Sequence, residues 1–354
     1  MADKDFSQER MCDFRRVLKQ AGLDGYLTAD PLEQRYLSGI ELSAGEAVFL
    51  VTPSKAWCVT KQLIASKIVP AAKFLKTVIV PFGGMLDGAL AEIKKRGLNT
   101  VAFDPALVDL ATGQKLLDSG LCRAEGLIGE MRLKKYEDEV ARIKKACKIA
   151  AQAFAEVFPQ IKTGMTEDEV RILMAVAMIS RGADSVPFNI VCFGENTADA
   201  HHTASKTRKL KAEEPVLMDF GCFYEGYCSD MTRSWWHGKK EPAEYKKIWN
   251  IVDKARTAGV KALRPGVTAG DIDRAARSVI EAAGYGKEFF HTTGHAIGLV
   301  VHDRPILRSG APDELEENFV VTVEPGIYFD GRWGIRLEDS YLLTKDGSKK
   351  LTHK

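Results

Sequence analysis

The stretch from residue 216 to residue 233 reads VLMDFGCFYEGYCSDMTR and carries an acid in each of two short segments. Asp219 and Asp230 are 11 positions apart. Asp219 lies in an apolar run of the kind that forms a strand, and Asp230 lies where the return strand is expected. We therefore predict a β-hairpin-like element with an acid on each strand.

A second stretch, VTVEPGIYFDGRWGIRLED at residues 321–339, repeats this arrangement. Its acids, Glu324 and Glu338, are 14 positions apart, and His295 lies between the two pairs in the sequence. The chain thus offers four carboxylates and one imidazole, which is the ligand set of a two-metal hydrolytic site.

A weak internal repeat relates the two stretches. Thr166 and Thr268 are predicted helix N-caps, and Glu169 and Asp271 follow three residues later, as in a capping box. Each half then runs from helix to strands to an acid-bearing hairpin, so the first acid pair matches the second. A duplicated α/β unit of this kind would bring the four acids together about a pseudo-twofold axis.

Alternation of side chains along a strand predicts the neighbours of these acids. Thr232 and Ser234 share a strand face with Asp230, and Arg336 shares one with Glu338. We therefore expect Arg336 to lie beside a ligand. The residues predicted to point away, as structural groups, are Arg233 and Asp339.

Charge balance favours metal over ordinary surface acids. Any one of these acids alone would be interpreted as a strand-end residue paired with a lysine. The occurrence of all of them at matching positions of an internal repeat indicates a shared site. Four buried carboxylates carry about −4, which two divalent ions compensate. Oxygen-rich ligands with one imidazole favour Mn²⁺ or Co²⁺, with Zn²⁺ or Fe²⁺ as alternatives. Such ions activate water, so no Ser or Cys nucleophile is needed.

The histidines cluster in the same part of the chain. All seven follow position 200, and five lie within residues 200–203 and 291–305. With His295 as a ligand, His201 and His302 are suited to donate hydrogen bonds to the oxyanion of a tetrahedral intermediate. We interpret His237 and His353 as packed or surface residues. For His202 this interpretation stays open beside a role in the site.

The first part of the chain alternates β-rich runs with helix-like segments, which predicts an α/β domain. It contains no histidine, so a substrate-shaping or subunit-contacting role is expected. The boundary is predicted near residue 126, before a charged connection and a long helix. The predicted domains are 1–126 and 127–354. The predicted strands of the first domain are 25–28, 47–52, 77–80 and 100–103, and its helices are 7–21, 84–96 and 107–118.

Composition and charge exclude several classes of function. The 354 residues are 45% apolar and 28% charged, and the net charge is +2, which gives no field that favours nucleic acid or an anionic membrane. Seven dispersed cysteines without a Cys-x-x-Cys pair predict reduced thiols. The charged N-terminus and the lack of an apolar run of about 18 residues predict a cytoplasmic protein.

Four motifs carry a resemblance to a known family. They are Gly294-His-x-Ile-Gly-x-x-x-His302, Val323-Glu-Pro-Gly, Met218-Asp-Phe-Gly with Ser229-Asp-Met-Thr-Arg, and Ile335-Arg-Leu-Glu-Asp. Together they resemble the motifs of pita-bread metallopeptidases, in particular the Xaa-Pro branch of prolidase and aminopeptidase P. The match covers residues 127–354, and Arg35-Tyr-Leu-Ser-Gly resembles the creatinase-like N-terminal domain of that branch.

The resemblance implies a role for each matching residue. The implied metal ligands are Asp219, Asp230, His295, Glu324 and Glu338. Glu324 is also implied as a proton shuttle, and the residues implied to contact substrate and intermediate are His201, His291 and His302. The resemblance further implies small Xaa-Pro peptides as substrates and a homodimer.

Two positions depart from the family pattern. Ala200 replaces a proline before the first histidine, which we interpret as a loop variation. Ile306 replaces an arginine that suits the terminal carboxylate of a dipeptide, so Arg304, Arg308 or Arg336 would have to hold that group. We assign Arg336, with His291, to substrate binding.

The expected function is a dinuclear-metal-dependent exopeptidase that cleaves before proline. Its substrates would be Xaa-Pro dipeptides or the N-termini of longer Xaa-Pro peptides. Two alternatives share the fold: a creatinase-like C–N hydrolase that works without metal, and a noncatalytic peptide-binding module.

Overall fold

A computed structural model describes residues 6–353, so residues 1–5 of the N-terminus considered above lie outside the described residues. The chain divides into two compact units, Met1–Arg132 and Leu133–Lys354. None of the helices formed by the described residues combines the length and the apolar character that a membrane span requires.

The first unit alternates short strands and helices, as predicted. Its strands β1–β6 are Gly25–Thr28, Ala47–Val51, Ala56–Thr60, Leu75–Ile79, Val101–Phe103 and Cys122–Arg123. Its helices α1–α6 are Ser7–Gln20, Pro31–Ser38, Gln62–Ala71, Met85–Arg96, Leu110–Asp118 and Leu127–Leu133. The strands form one mixed sheet in the order β4-β3-β2-β1-β5-β6. The boundary predicted near residue 126 lies before α6, whereas the division between the units falls at the end of that helix.

The second unit has two halves of similar construction. Its helices α7–α10 are Glu137–Val157, Glu167–Ser180, Ala243–Ala262 and Ala269–Ala282. Strands β7–β10 are Ser185–Phe193, Glu214–Tyr224, Tyr227–Cys228 and Met231–His237. Strands β11–β17 are Gly294–Ala296, Asp303–Leu307, Val320–Val323, Gly326–Phe329, Trp333–Arg336, Asp339–Thr344 and Gly347–Lys350. The first half pairs β10-β8-β7, and the second pairs β12-β11-β13-β16-β17.

Both halves begin their second helix in the same way. Thr166 Oγ1 accepts a hydrogen bond from the Glu169 N–H at 3.1 Å, and Thr268 Oγ1 accepts one from the Asp271 N–H at 3.1 Å. Each capping box is completed by the acid side chain, which accepts from the threonine N–H. Each threonine also forms an isolated antiparallel bridge to the segment before β8 or β13. The predicted duplication therefore extends to the caps.

The four acids lie on or next to the central strands of the two halves. Asp219 is on β8 and pairs in register with Thr232 on the antiparallel strand β10, which Asp230 immediately precedes. Glu324 immediately follows β13, and Glu338 lies between β15 and β16. Apolar residues on the same strands pack against the helices, so the sheets hold the acids on rigid backbone.

The second hairpin is more complex than the sequence predicts. The single return strand predicted for Ile335–Asp339 is wrong, because β15 ends at Arg336 and β16 begins at Asp339. The strand that returns along β13 is β16, which pairs Val323 with Asp339. A separate hairpin, β14–β15, is inserted between them. Arg336 and Glu338 therefore do not share a face of one strand.

Close packing beside the first acid pair should make Gly221 intolerant of a side chain. A Cβ at this position on β8 would lie 2.0 Å from the carbonyl oxygen of Ser229, the residue before Asp230. We expect Gly221→Ala to lower the free energy of unfolding by about 1–3 kcal/mol, because backbone must move to relieve the clash. Urea denaturation of the purified variant measures this change.

Gly129→Ala provides the matched control. Gly129 lies inside α6, where an added Cβ meets no atom within 4 Å. This variant should gain about 0.5–1 kcal/mol, because alanine is the better helix former. Equal unfolding midpoints for the two variants would contradict the packing described for β8.

Candidate metal centre

One pocket of about 360 Å³ contains the side chains that the sequence singles out. All nine predicted site residues line it: His201, Asp219, Asp230, His291, His295, His302, Glu324, Arg336 and Glu338. The remaining lining residues are Phe188, Ile190, Ala200, Thr292 and Val301. Both halves of the second unit contribute, so the acids of the two hairpins do meet.

Three buried side chains form the closest cluster of ligand type. One ligand atom each of Asp230, His295 and Glu338 lies within 4.8 Å of the others. His295 Nε2 is 3.6 Å from Asp230 Oδ2 and 3.1 Å from Glu324 Oε1. This spacing allows the imidazole and the carboxylates to bind a common cation.

The backbone around His295 fixes the orientation of its ring. Nδ1 donates to the carbonyl of Ala296 at 3.1 Å, which directs Nε2 towards the acids. The His295 N–H donates to Thr322 Oγ1 at 3.1 Å, and that hydroxyl donates to Glu324 Oε1 at 3.2 Å. A Cβ at Gly294 would lie 2.2 Å from the carbonyl oxygen of Thr322, so only glycine allows this approach.

Arg336 links the two acid pairs. Its Nη2 donates to Asp219 Oδ2 at 2.7 Å, and its Nε donates to Thr232 Oγ1 at 3.1 Å. Thr232 in turn donates to Glu338 Oε2 at 2.7 Å. Arg336 is 3% exposed, so its charge acts on the acids with little screening. The predicted contact of Arg336 with a ligand residue is present, although the partner is Asp219.

Two carboxylate oxygens in the pocket lack a hydrogen-bond partner. Among the described residues, no donor reaches Asp219 Oδ1 or Glu338 Oε1, and both atoms are buried. Buried carboxylate oxygens are normally hydrogen-bonded or bound to a cation. The donor set, four carboxylates and one imidazole, therefore fits divalent metal.

Burial and mutual repulsion perturb the acids in different directions. Burial, with the charges of Glu338 and Asp219, raises the pKa of Asp230 well above its usual value. Burial also raises the pKa of Glu338, and repulsion by the charge of Glu324 raises it further. For Glu324, burial is outweighed by the hydrogen bond from His295, which lowers the pKa to about 2. Burial lowers the pKa of His295, but the same bond outweighs it and raises the value.

Tyr328 belongs to the site, although the sequence did not indicate it. Its hydroxyl accepts from Arg336 Nη1 at 2.9 Å and lies 2.9 Å from His291 Nε2. His291 Nδ1 lies 2.8 Å from the carbonyl of Thr292 and so donates to it, which leaves Nε2 as the acceptor. Burial lowers the pKa of His291 to about 4, in keeping with a neutral ring. Tyr328 lies on the unpredicted β14, so no sequence pattern placed it here.

The remaining histidines separate into two groups. The ring of His302 lies next to that of His295, with the centroids 4.4 Å apart and the planes tilted by 50°, and His201 lines the same pocket. His237 contacts Thr163 Oγ1 at 3.1 Å, and none of the pocket residues is His237, His202 or His353.

Arg233 and Asp339 lie on the other side of the strands, as predicted. Arg233 Nη2 donates to Asp339 Oδ1 at 2.8 Å, and its Nη1 donates to the carbonyl of Glu338 at 2.6 Å. Lys350 and Thr352 also donate to Asp339, at 2.6 and 2.7 Å. This network fixes the backbone of Glu338 through the hydrogen bond from Arg233 to its carbonyl.

Two family models match the chain. The model described as Metallopeptidase family M24 matches residues 141–345, and the model described as Creatinase/Prolidase N-terminal domain matches residues 10–134. The chain belongs to metallopeptidase family M24. The predicted fold class, a creatinase-like α/β domain followed by a pita-bread domain, is confirmed.

Other members of the family are similar over nearly the whole chain. An uncharacterised peptidase of Bacillus subtilis is 31% identical over 344 residues, which is 96% of this chain and 96% of that protein. The structure of an Xaa-Pro dipeptidase from Bacillus anthracis is 31% identical, with a TM-score of 0.92 and 98% of each chain covered. The structure of an X-Pro aminopeptidase from Thermotoga maritima is 31% identical, with a TM-score of 0.88 and 96% and 98% covered. The resemblance to the Xaa-Pro branch is thereby confirmed.

Divalent metal should stabilise this M24 protein more at high pH than at low pH. Without metal, the raised pKa values of Asp230 and Glu338 contribute stability that is present below their unfolded pKa, about 4, and is lost as the pH rises. Metal replaces the protons and removes this loss. We expect the increase in Tm on adding Mn²⁺ to metal-free protein to be larger at about pH 8 than at about pH 5. The corresponding gain in the free energy of unfolding should differ by up to about 1.4 kcal/mol per displaced proton and pH unit.

The double variant Asp230→Asn, Glu338→Gln is the control for this measurement. It removes both carboxyl groups whose pKa is raised, so added Mn²⁺ should leave its Tm nearly constant at both pH values. The same Tm increase in the variant and the parent protein, or an increase independent of pH, would contradict metal binding at this cluster.

Proposed function

We propose that this chain is a dinuclear-metal-dependent exopeptidase that removes the residue preceding proline. The observation that carries the proposal is one pocket lined by five ligand-type side chains, in which two buried carboxylate oxygens have no hydrogen-bond partner among the described residues. The proposed ligands are Asp219, Asp230, His295, Glu324 and Glu338. Mn²⁺ or Co²⁺ is the proposed metal, with Zn²⁺ or Fe²⁺ as alternatives.

The metal ions, when bound, would polarise the scissile carbonyl and lower the pKa of water at the site. Glu324 accepts the proton of the attacking water and passes it to the imide nitrogen of the leaving proline. Glu324 can take this role because its side chain lines the pocket beside His295, with Oε1 3.1 Å from His295 Nε2. His201 and His302, which are exposed and line the pocket, donate hydrogen bonds to the oxyanion.

His291 and Arg336 are proposed to act on the substrate side by shaping the pocket. Both ring nitrogens of His291 are already engaged, by Thr292 and Tyr328. The guanidinium of Arg336 is engaged by Asp219, Thr232 and Tyr328. Neither side chain is therefore free to form the main ionic contact with a peptide, and both present a rigid polar wall.

Peptides longer than two residues are the proposed preferred substrates. Ile306 is partly buried on β12 and pairs in register with His295. The position at which the family pattern has an arginine therefore carries no positively charged side chain here. Arg304 forms an ion pair with Asp313 at 3.1 Å, and Arg336 is engaged as described. Arg308 is exposed and is not among the residues that line the pocket. The terminal carboxylate of a dipeptide would thus lack a dedicated arginine, whereas a longer peptide carries that charge away from the pocket.

The proposal extends to compartment and assembly. The seven cysteines are free thiols in this structure, which supports a reducing compartment such as the cytoplasm. The homodimer that the resemblance implies stays a prediction.

Hydrolysis assays with metal-loaded protein test the function and the preferred length together. We expect cleavage of Ala-Pro-Ala-Ala after the first residue, slower cleavage of Ala-Pro, and none of Ala-Ala-Ala-Ala. Glu324→Gln should lower kcat by about 10²–10⁴-fold, since it removes the proton acceptor. The function would be refuted if the protein cleaved neither of the two proline-containing peptides.

The variant Ile306→Arg isolates the effect of peptide length. It restores a guanidinium at the position where the family pattern has one, so kcat/KM for Ala-Pro should rise by roughly tenfold relative to Ala-Pro-Ala-Ala. Ile306→Leu, which adds no charge, is the matched control. An unchanged ratio in Ile306→Arg would show that this position does not select peptide length.

A further inference from the structure

Glu167, the first residue of α8, is a completely buried anion outside the metal pocket. Its carboxylate accepts four hydrogen bonds, all at 2.8 Å. The donors are the Phe193 N–H, Asn196 Nδ2, His202 Nε2 and the Ser205 N–H. A buried carboxylate needs such a set of donors, and the N-terminus of a helix also favours negative charge. Each of the four donors therefore helps to stabilise the buried carboxylate.

These donors hold both ends and the middle of one segment, residues 193–205, which we call the His201 loop. His202 is directly bonded to Glu167, and its neighbour His201 lines the pocket. The His201 N–H donates to Asp199 Oδ1 at 3.0 Å, but within residues 6–353 no hydrogen bond to the His201 ring is found. The position of that ring therefore depends on how the loop backbone is held.

We propose that Glu167 is a positioning residue that fixes the His201 loop and thereby places the His201 ring at the metal pocket. This inference rests on the proposed function, because it takes His201 as the donor to the oxyanion. His202 is the partner of Glu167 in the loop. Its side chain forms the hydrogen bond to Glu167, and it directly follows His201 in the sequence. Neither Glu167 nor His202 touches the substrate.

The backbone at Ala200 offers a second way to restrain the same loop. Asp199 has φ −92° and ψ 108°, an extended conformation that suits the residue before a proline. Among the described residues, the Ala200 N–H donates no hydrogen bond that a proline would remove. A proline at position 200 would restrict the loop without Glu167, because its ring removes conformational freedom from the chain.

The experiment compares Glu167→Gln, His202→Ala and the control Glu169→Gln. Glu169 lies on the same helical turn but is exposed and bonds only to the Thr166 cap. We expect Glu167→Gln and His202→Ala to lower kcat for Ala-Pro-Ala-Ala by about 10- to 100-fold, with a smaller change in KM, as a displaced catalytic group does. The dissociation constant for Mn²⁺ should match that of the parent protein in all three variants.

Adding Ala200→Pro to His202→Ala should restore most of the lost kcat, which a general loss of stability would not allow. Hydrogen exchange read by mass spectrometry gives a measure that is independent of activity. Exchange should become faster within the His201 loop in Glu167→Gln and His202→Ala, and stay unchanged in the segments with Asp219 and His295.

The outcomes separate this inference from the proposed function. If the parent protein cleaves no Xaa-Pro peptide, the proposed function fails, and hydrogen exchange alone decides whether Glu167 holds the loop. If Glu167→Gln does not fold, His202→Ala carries the test. Parent-like kcat or parent-like exchange of the loop in His202→Ala would overturn the positioning role.

Discussion

Four carboxylates buried around one imidazole are the constraint on which the rest of the second unit depends. Like charges at such spacing in a protein interior repel one another and lose the solvation of water. Arg336 neutralises part of this charge through Asp219, and a proton on His295 neutralises part of the rest. Two carboxylate oxygens still lack a partner. Either protons on Asp230 and Glu338 or cations in the pocket can balance the remaining charge, and the ligand types in the set favour a metal centre.

The duplicated architecture explains how such a cluster can be built. Each half brings one acid to a strand that is paired on both sides: Asp219 lies on β8, and Glu324 follows β13. Asp230 and Glu338 lie just before the neighbouring strands β10 and β16. Helices capped in the same way cover the outer faces of both halves. Polar groups outside the pocket, such as the Arg233–Asp339 pair, fix the backbone between the ligands. The proposed ligands His295, Glu338 and Asp219 are thus held by secondary structure and by hydrogen bonds to their side chains.

Much of this arrangement could be predicted because its signals are local. The capping boxes, the acids of the two hairpins and most strands of the first unit follow from spacing and alternation over a few residues. The β14–β15 insertion could not be predicted, since which strand pairs with which depends on contacts far apart in the sequence. Tyr328 was missed for that reason. Glu167 had the pattern of an ordinary helix-start acid, and only the folded loop shows that it binds His202.

The central claim, that these five side chains bind two metal ions, is tested most directly by anomalous diffraction from crystals grown with Mn²⁺. Two anomalous peaks are expected in the pocket, and together they should lie within bonding distance of all five side chains. An empty pocket in fully loaded crystals, or manganese bound only outside it, would contradict the account.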